Sequence, residues 1–266
     1  LTDVTGVQTC ALPIWRNIGA LRAIYDAHLG SPAPWSAEVA VIVDETSPFY
    51  LASNAEVMRP LANEFRTQLY RMGVPFRQYL LSDLEAGRVP EHRVYLFIGC
   101  FHLSAAQRDA IAGAVSGATA VWFYGSGFVG DRPDTANLAA LTGMPVREIE
   151  GDTAAMIAPE PGAALCAGVP PEAFGVPTAL RPLWRVEETD GLEVLGRFGD
   201  GTVGAAAVRR NGRLAVYIGT LTAPARLLRN ILMASGVHVY LDSDDVLVTD
   251  GEFLSVTASS AGVKRL

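Results

Sequence analysis

The feature that most constrains this chain is a repeated alternation between unbroken apolar runs of strand length and amphipathic segments of helical spacing. The run "VAVIVDE" at 39–45 is followed, over 53–72, by apolar residues at Val57, Leu61, Phe65 and Leu69, with Gly73 at the stop position. Recurrence every three to four residues marks one buried helix face, and an unbroken short run marks a strand covered on both sides. The alternation continues through "PFRQYLL", "VYLFIG", a helix over 104–115 opened by Ser104 as its cap, and "TAVWFY", the fourth strand. Strands apolar on both faces belong to a parallel sheet sandwiched by helices. The first half of the chain is therefore expected to be a doubly wound α/β domain.

The second half has another rhythm. "LEVLGRF", "GAAAVRR" and "RLAVYIG" are joined by Gly199-Asp200-Gly201 and by Asn211-Gly212, the strongest short hairpin signal, so an antiparallel meander is expected. A helix is predicted from Pro224 to Gly236, then "VHVYL" as a strand before the acidic turn "DSDD". Upstream, Ile18, Leu21, Ile24, Tyr25 and Leu29 lie at helical spacing over 15–29, and "GSPAPWSAE" reads as a linker, placing the domain start near Ala37. Residues 1–14 share none of this periodicity. They resemble a translated sequencing-adapter tail of the kind found on metagenomic reading frames, and are set apart from the fold. At the far end "EFLSVTASSAGVKRL" reads as a strand, a turn and the start of a strand with no partner after it. Both ends suggest an internal piece of a longer protein.

Composition removes several classes of function. With 50% hydrophobic and 18% charged residues the chain is not disordered, and no apolar run approaches the ~20 residues that span a bilayer. A net charge of −7 with scattered arginines lacks the basic stripe that neutralises phosphates, so neither nucleic acid nor a membrane is expected as a partner. Cys10, Cys100 and Cys166 show no disulfide or zinc spacing, which points to a reducing, cytoplasmic setting and to no metal.

The stretch "GSGFVG" at 125–130 has the glycine spacing of a dinucleotide-binding turn. That turn normally follows the first strand of its domain and opens a helix whose amides hold the pyrophosphate. Here it follows the fourth strand, and Pro133 keeps Arg132 out of helical geometry. The glycines read as a tight turn at a sheet edge, and no cofactor is expected. A nucleophile elbow centred on Ser126 would need small neighbours two residues away, where Tyr124 and Phe128 stand. Cys100 has His102 nearby but reads first as a buried structural cysteine, and His28, His92 and His238 stand alone. Asp44 and Glu45 end the first strand at the carboxyl edge, where α/β sheets bind ligands; Asp242, Asp244 and Asp245 could offer oxygens to calcium but match no EF-hand loop. Both acidic groups read first as solvated turns.

The segments "VAVIVDETSPFYL", "VYLFIGCFHLSAAQRDAI", "VWFYGSGFVGD", "NLAALTGMPV" and "SGVHVYLDSDDVLVTDGEFLSVTAS" together resemble the middle domain of family-42-type β-galactosidases and related glycosidases. The resemblance covers most of 38–240. It implies a flavodoxin-like, class I glutamine-amidotransferase-like fold over 37–240, between a catalytic TIM barrel and a small β domain that opens at 241–266. Residues 15–36 would then be a helix and linker leaving the barrel. It further implies a non-catalytic, assembly ("trimerisation") role within a homo-oligomer, because the turn at 124–128 lacks the cysteine that amidotransferase relatives keep there. The two glutamates of the retaining mechanism would lie in the barrel, outside this sequence. Two alternatives stay open: a hydrolase or amidotransferase-like enzyme using Cys100 or Ser126, and a small-ligand-binding domain with its site near Asp44, Glu45, Ser47 and Gly125.

Overall fold

The computed structural model describes residues 3–29, 37–52, 57, 59–210 and 212–264, with side chains masked over 3–12 and at 62. The Pro/Ser/Gly linker read at 30–36, the start of the 53–72 helix at 53–56 and Asn211 of the Asn-Gly turn lie outside the described residues. The chain forms two units, 1–35 with 250–252, and 36–249 with 253–266.

In the first unit the described residues include one helix, α1 (Asp3–His28). It begins well before Trp15, where the apolar spacing predicts a start: helical hydrogen bonds are local and continue through a stretch that has no apolar face to bury. Its apolar stripe stays open to solvent, with Trp15, Leu21, Tyr25 and Leu29 all exposed.

In the second unit, β1 (Val39–Val43) leads through a 3-10 turn, Ser47–Tyr50, to a π-helical turn, Pro60–Glu64, that runs into α2 (Phe65–Tyr70). Pro60 has no N–H to donate and its ring crowds the preceding turn, and the helix widens there, Phe65 N donating to Pro60 O. Val57, Leu61, Phe65 and Leu69 are buried, as their spacing requires. Next come β2 (Phe76–Leu80), the short α3 (Leu81–Glu85), β3 (Val94–Ile98), α4 (Ala105–Val115), β4 (Thr119–Phe123) and α5 (Thr135–Thr142). Ser104 and Gln107 form a reciprocal capping box on α4, and Asp134 caps α5.

The chain then adds β5 (Val146–Glu148), β6 (Ala154–Pro159), a 3-10 turn at Ala164–Cys166, β7 (Phe174–Ala179) and β8 (Trp184–Val186). None of these short strands carries a strong apolar period. The meander follows as β9 (Leu192–Phe198), β10 (Val203–Arg210) and β11 (Arg213–Ile218), then α6 (Ala225–Ala234) and a separate hairpin of β12 (Val246–Thr249) and β13 (Leu254–Thr257).

The result is a mixed α/β unit around an 11-stranded sheet with the path β2-β1-β3-β4-β11-β10-β9-β6-β7. The pairs β1/β2, β1/β3, β3/β4 and β4/β11 are parallel, and the meander strands are antiparallel. The meander is thus not a separate layer, because β11 inserts beside β4 with Ala215–Ala120 and Ile218–Phe123 in register. β1, β3 and β4 are buried almost throughout. Phe97 stacks on Trp122 at 4.1 Å, and Phe65 packs on Phe123 at 4.5 Å.

Two strands read from the sequence are not formed among the described residues. Residues 237–241 form no strand; Tyr240 N and Leu241 N instead donate to Gly73 O, so the segment crosses the turn after α2. The strand read in "EFLSVTAS" forms as β13 and pairs with β12 from Val246–Thr257 to Thr249–Leu254, while the further strand start read after its turn is not formed over 258–264.

Candidate functional site

All of the residues singled out at the end of β1, β3 and β4 meet at the carboxyl edge of the parallel sheet. After β1, Asp44 is buried, and its two oxygens accept Thr46 N and Oγ1 at 2.9 Å, Ser47 N at 2.9 Å and the Ser47 hydroxyl. A carboxylate has about four acceptor positions, and all are used here. The expectation of a solvated Asp44 is therefore corrected: the group is a buried turn-former, while Glu45 beside it is exposed. The Ser47 hydroxyl also accepts His102 N at 2.9 Å, and Tyr50 stacks on the His102 ring at 4.3 Å. The loops after β1 and β3 are thereby locked together.

Cys100 is wholly buried, with Sγ facing the Ile42 and Ile98 carbonyls at 3.9 and 3.7 Å. Burial, with the Asp44 charge adding to it, pushes its thiol well above the ordinary range, away from the thiolate that attacks or binds metal. His102 is held by Tyr50 and Ser47, as described, and the two side chains form no dyad. Among the described residues no three metal-ligating side chains cluster.

The glycine stretch after β4 is stitched to the β3 loop. Gly127 N donates to Cys100 O at 2.7 Å, Val129 N to Phe101 O at 3.0 Å, Ser126 N to Phe123 O, Phe128 N to Gly125 O and Gly130 N to Arg132 O. All five amides that a phosphate would need already have internal acceptors. Gly127 adopts φ 70, and Gly125 lets the Trp184 ring lie where a side chain would collide with it. Ser126 is buried and donates to Phe123 O at 2.7 Å.

The strained residue of this turn is Tyr124, with φ 50, a conformation that bulky residues avoid. The elbow is therefore centred two residues before Ser126. Its phenol donates to Pro182 O at 2.6 Å, and burial raises its pKa far beyond the usual tyrosine range. Sequence reasoning passed over Tyr124 because a large aromatic ending a strand looks like core; only the backbone angle marks it.

The acidic turn is also internal. Arg229 is buried and donates to Arg71 O, Met72 O, Ser243 O and Asp244 Oδ1, and it lies 3.5 Å from Asp242. Asp245 is buried as well, contrary to the solvated turn expected from "DSDD".

Beside Asp44, between β1, β2 and β3 and the helical turn that includes α2, lies a cleft of about 350 Å³. Val41, Val43, Leu61, Leu69, Ile98 and Phe101 form its apolar walls, and Arg66 and Gln78 are the polar side chains on it besides Asp44. No helix among the described residues is long and apolar enough to cross a membrane.

No family model matches the sequence, and no curated protein matches it. Solved structures do match the fold. A β-galactosidase from the Antarctic haloarchaeon Halorubrum lacusprofundi shares 16% identity at a TM-score of 0.59, over 84% of this chain and 34% of its own. A β-galactosidase from Bacillus circulans sp. alkalophilus shares 14% at 0.57, over 79% and 33%. A catalytic mutant of a GH42 β-galactosidase from G. stearothermophilus shares 12% at 0.56, over 82% and 33%. The chain spans about a third of the length of each of these structures.

Proposed function

We propose that this chain is the middle domain of a multidomain glycoside hydrolase of the β-galactosidase type, and that it serves assembly rather than catalysis. The observation that carries this reading is Tyr124. The strained residue after the central parallel strand, where an amidotransferase-like fold would present its nucleophile, is here a buried phenol bonded to Pro182 O. The strand order β2-β1-β3-β4-β11 supports a flavodoxin-like, amidotransferase-like ancestry. The likeness to about a third of each β-galactosidase supports a role as one domain among several. On this reading the exposed apolar stripe of α1 belongs against an upstream TIM barrel, 37–240 is the assembly domain, and the β12/β13 hairpin opens a downstream β domain. The 1–14 stretch is taken as adapter-derived, and the parent as a homo-oligomer.

The purified chain is expected to leave 4-nitrophenyl β-galactoside and related aryl glycosides untouched. Turnover that co-purifies with the chain would overturn the non-catalytic role. Should Cys100 or Ser126 act instead, a thiol- or serine-directed probe would label the native chain and lose that labelling in Cys100→Ala or Ser126→Ala; burial of both predicts no native labelling.

A further inference from the structure

The sheet path places β2 on one side of β1 and β3 on the other, so the order in which parallel strands are added reverses at β1. In open α/β sheets the crevice at that switch point, outside the carboxyl ends of the strands, is where ligands bind. The 350 Å³ cleft opens beside it, on the sheet face under α2, running from Gly99 at the end of β3 back to Val41 and Gln78 at mid-strand, and its volume is within the ~300–1,000 Å³ range of small-molecule sites. The loops after β1 and β3, which contribute Pro48 and Phe101 to it, are held together by the Ser47 bond to His102 N and the Tyr50/His102 stack.

The charges around the cleft select the ligand. Asp44 lies beside it, but four internal donors occupy its oxygens, so it has no free acceptor position for a ligand. Arg66 lies on the opposite, helical wall. No carboxylate among the described residues pairs with Arg66, the arginine that lines this cleft. A lone guanidinium over apolar walls suits an anion attached to an apolar body, and its planar fork matches a carboxylate. We propose that this cleft binds a small aryl- or alkyl-carboxylic acid, its carboxylate on Arg66, the Gln78 amide beside it, and its body against Leu61, Leu69, Ile98 and Phe101. The inference does not depend on the assembly role, since binding and glycoside turnover are read separately.

The test is titration of the full chain with 3-phenylpropanoate, followed by calorimetry and by backbone amide shifts. Saturable binding is expected, with shifts at Gly99, Phe101 and Gln78. Arg66 is exposed, so Arg66→Gln keeps the fold, as its circular dichroism will verify, and it should weaken the acid by at least about tenfold. The neutral 3-phenylpropanamide should bind wild type and R66Q alike, and more weakly than the acid binds wild type. The proposal is overturned if the acid shows no saturation up to about 10 mM, weaker than a built site of this size would give. Equal affinity of the acid for R66Q and wild type overturns it too, as does inorganic phosphate binding as tightly as the acid, which would reveal a bare anion site.

Discussion

Asp245 has no exposed surface, and its oxygens accept Lys264 Nζ at 2.8 Å, Ser243 Oγ at 2.7 Å, Ser259 N at 2.6 Å and Ser259 Oγ at 2.9 Å. Because Ser243 precedes β12 and Ser259 follows β13, this one carboxylate ties together the two chain segments at the open end of the hairpin. The Lys264 contact first, then the Ser243 and Ser259 hydrogen bonds, hold its carboxyl well below the ordinary range. A group depressed in the folded state contributes its full stability above the unfolded value of ~3.9 and loses it as pH falls from there toward the folded value. Asp245→Asn should therefore lower the urea midpoint at neutral pH and flatten the acid limb of the wild-type stability curve below about pH 4. Parallel curves for the two proteins would show that the carboxylate charge contributes nothing. In sequence, Asp245 was one of three aspartates in a turn; which of them goes inside depends on the hydroxyls that arrive from Ser259, fourteen residues later.

The elements separate into those written locally and those written by their neighbours. α4 was legible from Ser104 and Gln107, because a capping box is a contact between residues three apart. The segment 237–241 was not, because its alternation suits a strand while its backbone donors go to Gly73 O. Gly73 has φ 71, and a methyl there would overlap the Leu241 carbonyl, whereas Gly87, at φ 68, has open space around its α-carbon. Gly87→Ala should cost only the left-handed strain, about 1 kcal/mol. Gly73→Ala adds a clash with main chain that cannot rotate away and should cost more than about 2 kcal/mol. Urea unfolding of the pair checks this; equal costs would mean that 237–241 does not lean on the turn.

At the scale of the molecule, β4 is the seam between the two halves, with β3 on one side and β11 on the other, both parallel. A chain cut to 37–145 would turn the apolar β4 into an open edge. It should aggregate or stay unfolded, while the intact unit should unfold in one transition followed alike by tryptophan fluorescence and circular dichroism. A stable, soluble 37–145 fragment would mean that the meander is an appendage. The sequence announced both halves, since period and turn chemistry are local, but not that they share one sheet.

By itself, then, the sequence determined the strand and helix periods of the α/β core, the cap of α4, and the carboxyl-edge position of Asp44, Ser47, Cys100 and the glycine turn. Each of these follows from interactions between near neighbours along the chain. Only the tertiary structure decided that Tyr124 takes the strained place, that the amides of 126–130 are already bonded, and that Arg66 faces an apolar cleft unpaired. Those outcomes depend on which groups from distant segments arrive beside each residue, and local spacing carries no record of that.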